Sequence, residues 1–235
     1  DPSRAIPVGK IEELQKISDP RIVRPTAVVL NEQGEPVGYT MRRVPDSHVL
    51  CQTLTRAFRE REGLGREAVL HLVGRLRGAV DAVHEAGCLV VDLNEMNALV
   101  LHDFSDLTLL DADSYKTPSF PPTALMESVR DRHMRDPRAF DVGTDWFAFA
   151  IVSFQMVVGI HPYRGKHPVL KTLDERMEAD ASVLDPAVST PRVCFPFTDV
   201  PPALLAWYRA VLQDRVRESP PVDFFAGTAV AVPVA

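Results

Sequence analysis

From Asp145 to Val158 the chain is apolar at almost every position, with no polar stripe to turn toward water. Such a segment reads as a helix buried on several sides, and Gly159 supplies its stop. A helix of this kind exists only inside a body that surrounds it, so the rest of the chain must provide the surrounding layers. With 235 residues, 46% of them hydrophobic, it can do so as one large domain or two small lobes.

Other segments supply candidate layers. Glu67 to Ala86 is strongly periodic, with Val69, Leu72, Val73, Leu76, Ala79, Val80 and Val83 on one side and Gly87 after it. Pro201-Pro202 opens a helix over Ala203 to Arg217, and Pro220-Pro221 closes it. Near the N-terminus, Gly9 to Ile17 has helical spacing and stops at Asp19-Pro20. Ala27 to Leu30 reads as a short buried strand, Asn31 to Pro36 as a turn, and Val37 to Val44 as the return strand, ended by Pro45-Asp46-Ser47. A helix and a hairpin are too little to stand alone. Thr117 to Asp141, rich in proline, arginine and aspartate, reads as an extended loop with room for a helical turn, and Leu173 to Phe197 is weakly patterned.

The formal charge of −6 argues against bulk attraction to nucleic acid or anionic lipid. The three cysteines, Cys51, Cys88 and Cys194, have no metal-ligand spacing and read as incidental thiols of a reducing compartment. No apolar run is long enough to span a bilayer and no secretory signal opens the chain, so a cytoplasmic location is expected. Asp1 is not a natural start, and residues ahead of it are expected.

Three short apolar runs follow the Glu67–Ala86 helix: Leu89-Val90-Val91, Ala98 to Leu101, and Leu107 to Leu110, the last ending in Asp111. Acidic residues at the ends of such strands mark a site rather than a plain core. Between the first two runs, Asp92 and Asn97 form the pattern D-x-x-x-x-N. Alone, that pattern is more often a turn than a site. Its setting, between a long helix and a strand, with Asp111 at the end of the next strand and a buried helix beyond, makes a site the better reading.

This succession resembles the C-terminal lobe of eukaryotic-type protein kinases. Val90 to Asn97 resembles the catalytic loop. Leu109-Leu110-Asp111-Ala112-Asp113 resembles the strand and metal-binding aspartate before the activation segment. Asp145 to Ala150, with Gly159-Ile160-His161-Pro162-Tyr163, resembles the central helix and its exit. The wording Asp111-Ala112-Asp113-Ser114-Tyr115 is similar to a divergent bacterial or phage-like group with an Asp-x-Asp-Ser-aromatic motif.

The resemblance implies an α+β fold with a truncated small lobe over residues 1–44 and a mainly helical lobe over 45–235. Within the latter it implies a catalytic loop at 90–97, a metal-binding segment at 109–115 and an activation segment at 116–144. It implies ATP and Mg2+ as cofactors, with Asp92 as an exposed catalytic base and Asn97 and Asp111 holding metal. Leu99 would lie under the adenine, Met41 at the back of the pocket, and Arg42-Arg43-Val44 at the hinge. Asp145 would accept hydrogen bonds from the backbone near Val90 and Val91; the alternative for Asp145 is a helix N-cap.

The pattern breaks in four places. No glycine-rich phosphate loop precedes the first helix, and the strand lysine is missing with it; Lys10 lies on the helix itself, where the family's partner glutamate is expected. Val90 and Val91 replace the catalytic-loop histidine and arginine, and Asp113 replaces a glycine. The activation segment also has no proline-glutamate ending, which leaves Arg217 without an obvious partner. The expectation is a Ser/Thr-type phosphotransferase acting on a protein substrate or engaging a regulatory protein, binding Mg-ATP weakly unless preceding residues complete the phosphate cradle. The alternatives are a pseudokinase or interaction scaffold, a small-molecule kinase of the same fold, and a nucleotide-free structural domain.

Overall fold

The structure, a computed structural model, describes residues 6–222. It is a mixed α+β arrangement of helices and two small antiparallel sheets. The centre is α5 (Val142–Val158), in which every side chain from Asp145 to Val158 is buried. Its start is fixed by a capping box: Asp141 accepts from the Thr144 amide at 3.0 Å, and the Thr144 hydroxyl lies 3.2 Å from the Asp141 amide. Asp141, not Asp145, is therefore the cap. Gly159, at φ 80°, ends the helix in the left-handed conformation.

Two helices cover α5. One is α4 (Arg66–Glu85), which presents the expected apolar stripe from Val69 to Val83 together with Leu70. The other is α7 (Pro202–Leu212), bound through the Tyr208 hydroxyl to Ser153 at 3.0 Å. Helix α7 is shorter than the sequence suggests. Arg215 takes a positive φ of 59°, which breaks the helix before Arg217 and folds the chain back. Short helices α2 (Leu50–Thr53), α3 (Arg56–Glu62) and α6 (Leu173–Glu178) complete this body.

Against it lies a sheet in the order β3 (Ser47–Val49), β4 (Ala98–Leu101), β5 (Leu107–Leu109). Strand β3 is not foreseen in the sequence, where Ser47 reads as the end of a strand. Its three residues are too few to carry a pattern and are defined by register instead, with Val49 opposite Leu99. The expected strand over Leu89-Val90-Val91 reduces to one bridge between Leu89 and Lys116. Val91 leaves the extended region at φ 62°, so no ladder can continue through it.

The N-terminal part comprises α1 (Val8–Leu14) and a hairpin of β1 (Pro25–Leu30) and β2 (Pro36–Met41). The hairpin strands pair with each other alone among the described residues, and most of their positions are exposed. Val29 is 40% and Leu30 55% exposed, which corrects the reading of this strand as buried. An apolar run does not reveal whether anything covers it. The chain between α1 and β1 joins the other sheet, where the Val23 and Leu109 amides donate to Leu109 and Arg21 carbonyls at 2.9 and 2.8 Å.

Candidate functional site

The loop from Val90 to Asn97 is held from below by one carboxylate. Asp145 is fully buried on the first turn of α5. Its Oδ2 accepts from the Val90 amide and its Oδ1 from the Val91 amide, both at 2.8 Å, and the His84 ring Nε2 lies 2.9 Å from Oδ2. A β-branched residue at positive φ is strained by on the order of 1–3 kcal/mol and persists only where its surroundings hold it. The strained residue here, Val91, directly precedes Asp92 and is clamped by Asp145.

Asn94 shapes the next turn: its Oδ1 accepts from the Met96 and Asn97 amides at 2.9 and 3.2 Å. That turn brings Asn97 back to Asp92, and Asn97 Nδ2 donates to Asp92 Oδ2 at 3.2 Å. The β4–β5 register then sets Asp111 alongside. Ala98 pairs with Leu109, and the Asn97 carbonyl accepts from the Leu110 amide at 2.8 Å. Asp111 itself sits at φ 59°, a second strained position in the same place. Burial and then the negative charges of Asp113 and Asp92 raise its carboxyl above the usual range, against partial opposition from Ser114 and Lys10. Asp92, Asn97 and Asp111 thus come together.

Asp92 is not the exposed carboxylate the sequence suggests. It is 9% exposed, and its Oδ1 accepts from the Met126 amide at 2.6 Å. The segment that covers it is pinned at several points. Thr123 N bonds to Ser114 O at 3.0 Å, Ser119 N to Glu13 at 3.1 Å, and Arg132 to Asp174 at 2.7 Å. No side-chain pattern could foretell the Met126 contact, because it is made by backbone.

Arg217 does have a partner, contrary to the sequence reading. Its Nε and Nη2 meet both oxygens of Asp131 at 2.6 and 2.9 Å, and its guanidinium lies 4.6 Å from the centre of the Phe147 ring. Burial alone would raise the Asp131 carboxyl, but the Arg217 hydrogen bonds and charge outweigh it and hold it below its ordinary range.

The proposed nucleotide-side residues are less closely assembled. Leu99 is half-buried on the face of β4 opposite the buried Ala98 and Val100, so it turns away from the helical body. Met41 is 46% exposed at the end of β2. Arg43 is exposed and Val44 half-buried in the connection to β3, the strand whose Val49 faces Leu99. Among the described residues none of these four hydrogen-bonds to Asp92, Asn97 or Asp111.

Sequence reasoning placed Lys10 on the first helix but did not foresee its burial. Helix α1 packs against the 3-10 turn Ala112–Ser114, and Lys10 is only 2% exposed there. Tyr39 of β2 reaches the same turn, where burial and then the Asp113 carboxylate push its hydroxyl up.

Among the described residues, no three His, Cys, Asp or Glu side chains gather to hold a metal ion by themselves, and no helix is long and apolar enough to cross a membrane. Cys51, Cys88 and Cys194 are free thiols. No protein-family model matches the chain, and no curated protein matches it.

Proposed function

We propose that the chain forms a protein-kinase-like domain that transfers a phosphoryl group from Mg-ATP to a Ser/Thr-type hydroxyl of a protein substrate. The observation that carries this reading is the meeting of Asp92, in the 90–97 loop, with Asn97 and Asp111, which flank the neighbouring strands β4 and β5; Asn97 is bonded to Asp92 and to the residue before Asp111. Phosphoryl transfer asks for such a set: a carboxylate to orient and deprotonate the attacking hydroxyl, and hard oxygens for a cation. Asn97 commits Nδ2 to Asp92, which leaves its Oδ1 for a metal. Asp111, whose ionised form is disfavoured by burial and then by the neighbouring carboxylates, is relieved by a nearby cation.

This donor set fits a magnesium ion shared with phosphate oxygens rather than caged by protein alone. Bound there, the ion would offset phosphate charge. The chain's own residues do the rest: Asp145 fixes the loop, Asp92 takes the proton, and Leu99 offers an apolar surface to a base. Because Met126 N–H occupies Asp92 Oδ1, the covering segment has to move before a hydroxyl can reach that oxygen. The same contact favours a second reading, an interaction scaffold in which the segment stays closed.

The test is calorimetric titration with Mg-ATP alongside transfer of labelled γ-phosphate to a mixed Ser/Thr protein substrate. Asp111→Asn should remove the magnesium dependence of binding. Asp92→Asn should keep binding and lower transfer by roughly 10²–10⁴-fold. It should also cost about 1 kcal/mol of stability, since an amide there faces the Asn97 Nδ2 donor. Absence of Mg-ATP binding, or transfer indifferent to Asp92→Asn, would overturn the reading in favour of the scaffold.

A further inference from the structure

We propose that Lys10, presented by α1 rather than by a strand, is a phosphate-contacting residue of the site. This inference rests on the phosphotransferase reading above and deepens it by naming the cation that receives the nucleotide's phosphates.

Burying an ammonium group is expensive unless its donors are well used. Lys10 is 2% exposed, yet among the described residues its Nζ makes one long hydrogen bond, 3.4 Å to the Pro121 carbonyl. An ammonium has three donors, and no carboxylate among the described residues lies within ion-pair distance of this one. The side chain is shielded and carries no ion pair among the described residues, which is a poor design for a purely structural lysine. Burial accordingly lowers its pKa, with the charges of Asp113, Cys88 and Asp111 opposing that shift.

Its position is nevertheless fixed from both sides. Toward the site, α1 packs on the turn that follows Asp111 and carries Asp113. Away from it, Glu13 one turn on accepts from the Ser119 amide at 3.1 Å. Gly9 lies so close to Phe120 that an added Cβ would come within 3.2 Å of the ring. These contacts leave Lys10 beside an acidic cluster, where the Asp113 and Asp111 carboxylates act on its charge and Asp92 acts in turn on Asp111.

A triphosphate brings further negative charge to that cluster. Lys10 is a cation whose charge already acts on Asp111, and its weak bond to a neutral carbonyl is easily exchanged. Phosphate oxygens are stronger acceptors for an ammonium than a peptide carbonyl is. On nucleotide binding Nζ would give up Pro121 O and take phosphate oxygens, and the 117–121 segment would lose one of its ties to α1.

The experiment compares binding of Mg-ATP, Mg-ADP and adenosine to the wild-type chain, Lys10→Met and Lys10→Arg by calorimetry, with melting of each protein. Methionine keeps the volume and removes the charge. Lys10→Met should weaken Mg-ATP and Mg-ADP binding by about tenfold or more while leaving adenosine unchanged, and should melt no lower than wild type. Lys10→Arg should keep a preference for the phosphorylated ligands, and it serves as the deciding variant if Lys10→Met does not fold. Equal binding of Mg-ATP by wild type and Lys10→Met would overturn the inference while leaving the phosphotransferase reading in place. So would a matching loss of adenosine, which would mark a collapsed pocket. Wild-type protein that binds none of the three ligands would overturn both.

Discussion

The helix α5 and the β1–β2 hairpin are both rich in apolar residues, and they fare in opposite ways. From Asp145 onward every side chain of α5 is buried, whereas Val29, Leu30, Val37 and Met41 of the hairpin are each at least 40% exposed. The difference lies in partners. Helix α5 has α4 and α7 against it, while each hairpin strand pairs only with the other. Stability in this molecule is therefore concentrated in the helical body, and the site hangs from that body through Asp145. The hairpin touches α1 and reaches the turn after Asp111 through Tyr39.

The sharpest way to break this comparison is Asp145→Ala. It strands two buried amides, releases His84 and leaves the strained Val91 unsupported. A loss of about 3–5 kcal/mol is expected in urea melts. Unchanged melting would show that the body does not organise the loop.

A second test uses protons. His161 is 4% exposed and hydrogen-bonded as a neutral ring, its Nε2 donating to the Ser128 carbonyl at 2.9 Å and its Nδ1 accepting from the Tyr163 amide at 3.2 Å. Burial lowers its pKa to about 4. The unfolded histidine, with a pKa near ~6.5, takes up its proton first as the pH falls. Its contribution is thus complete above about pH 6.5 and is lost as the pH drops toward 4, by up to about 3 kcal/mol. His161→Gln should flatten that part of the stability profile. The hairpin contains no histidine, so exchange of its amides should not follow the same slope between about pH 7 and pH 5. A profile identical in wild type and variant would remove His161 from the account.

The smallest effect is expected at Val29→Thr, within about 0.5 kcal/mol, because the side chain has little burial to lose. A loss above about 1 kcal/mol would mean that this face is covered in solution.

What could be read from the sequence divides along the same line. The long helices and the two sheet strands beside the site were legible because periodicity, Gly87, Gly159 and Pro201-Pro202 mark them, though Pro220-Pro221 lies well past the end of α7. The turn through Asn94 that returns Asn97 to Asp92 follows from residues a few positions apart. Burial of the hairpin was misjudged because composition does not say what lies opposite a face. The Arg217–Asp131 pair spans 86 residues of chain, and Met126 reaches Asp92 through its amide, so neither leaves a local signature. Lys10 was visible as a residue out of place, but its burial depends on how α1 docks.

The Asp145 anchor has a consequence for how the molecule comes into being. The amides it holds belong to residues 55 and 54 positions earlier in the chain. During synthesis the helical turns of α4 and the β3–β4–β5 sheet can form early, since all of them precede α5 in the chain, but the loop between α4 and β4 lacks its organiser until α5 has emerged and docked. Contacts of such sequence separation form late and slowly. The strained backbone ahead of Asp92 is then set only once the body has closed, so a chain interrupted before α5 carries the residues of the site without its shape.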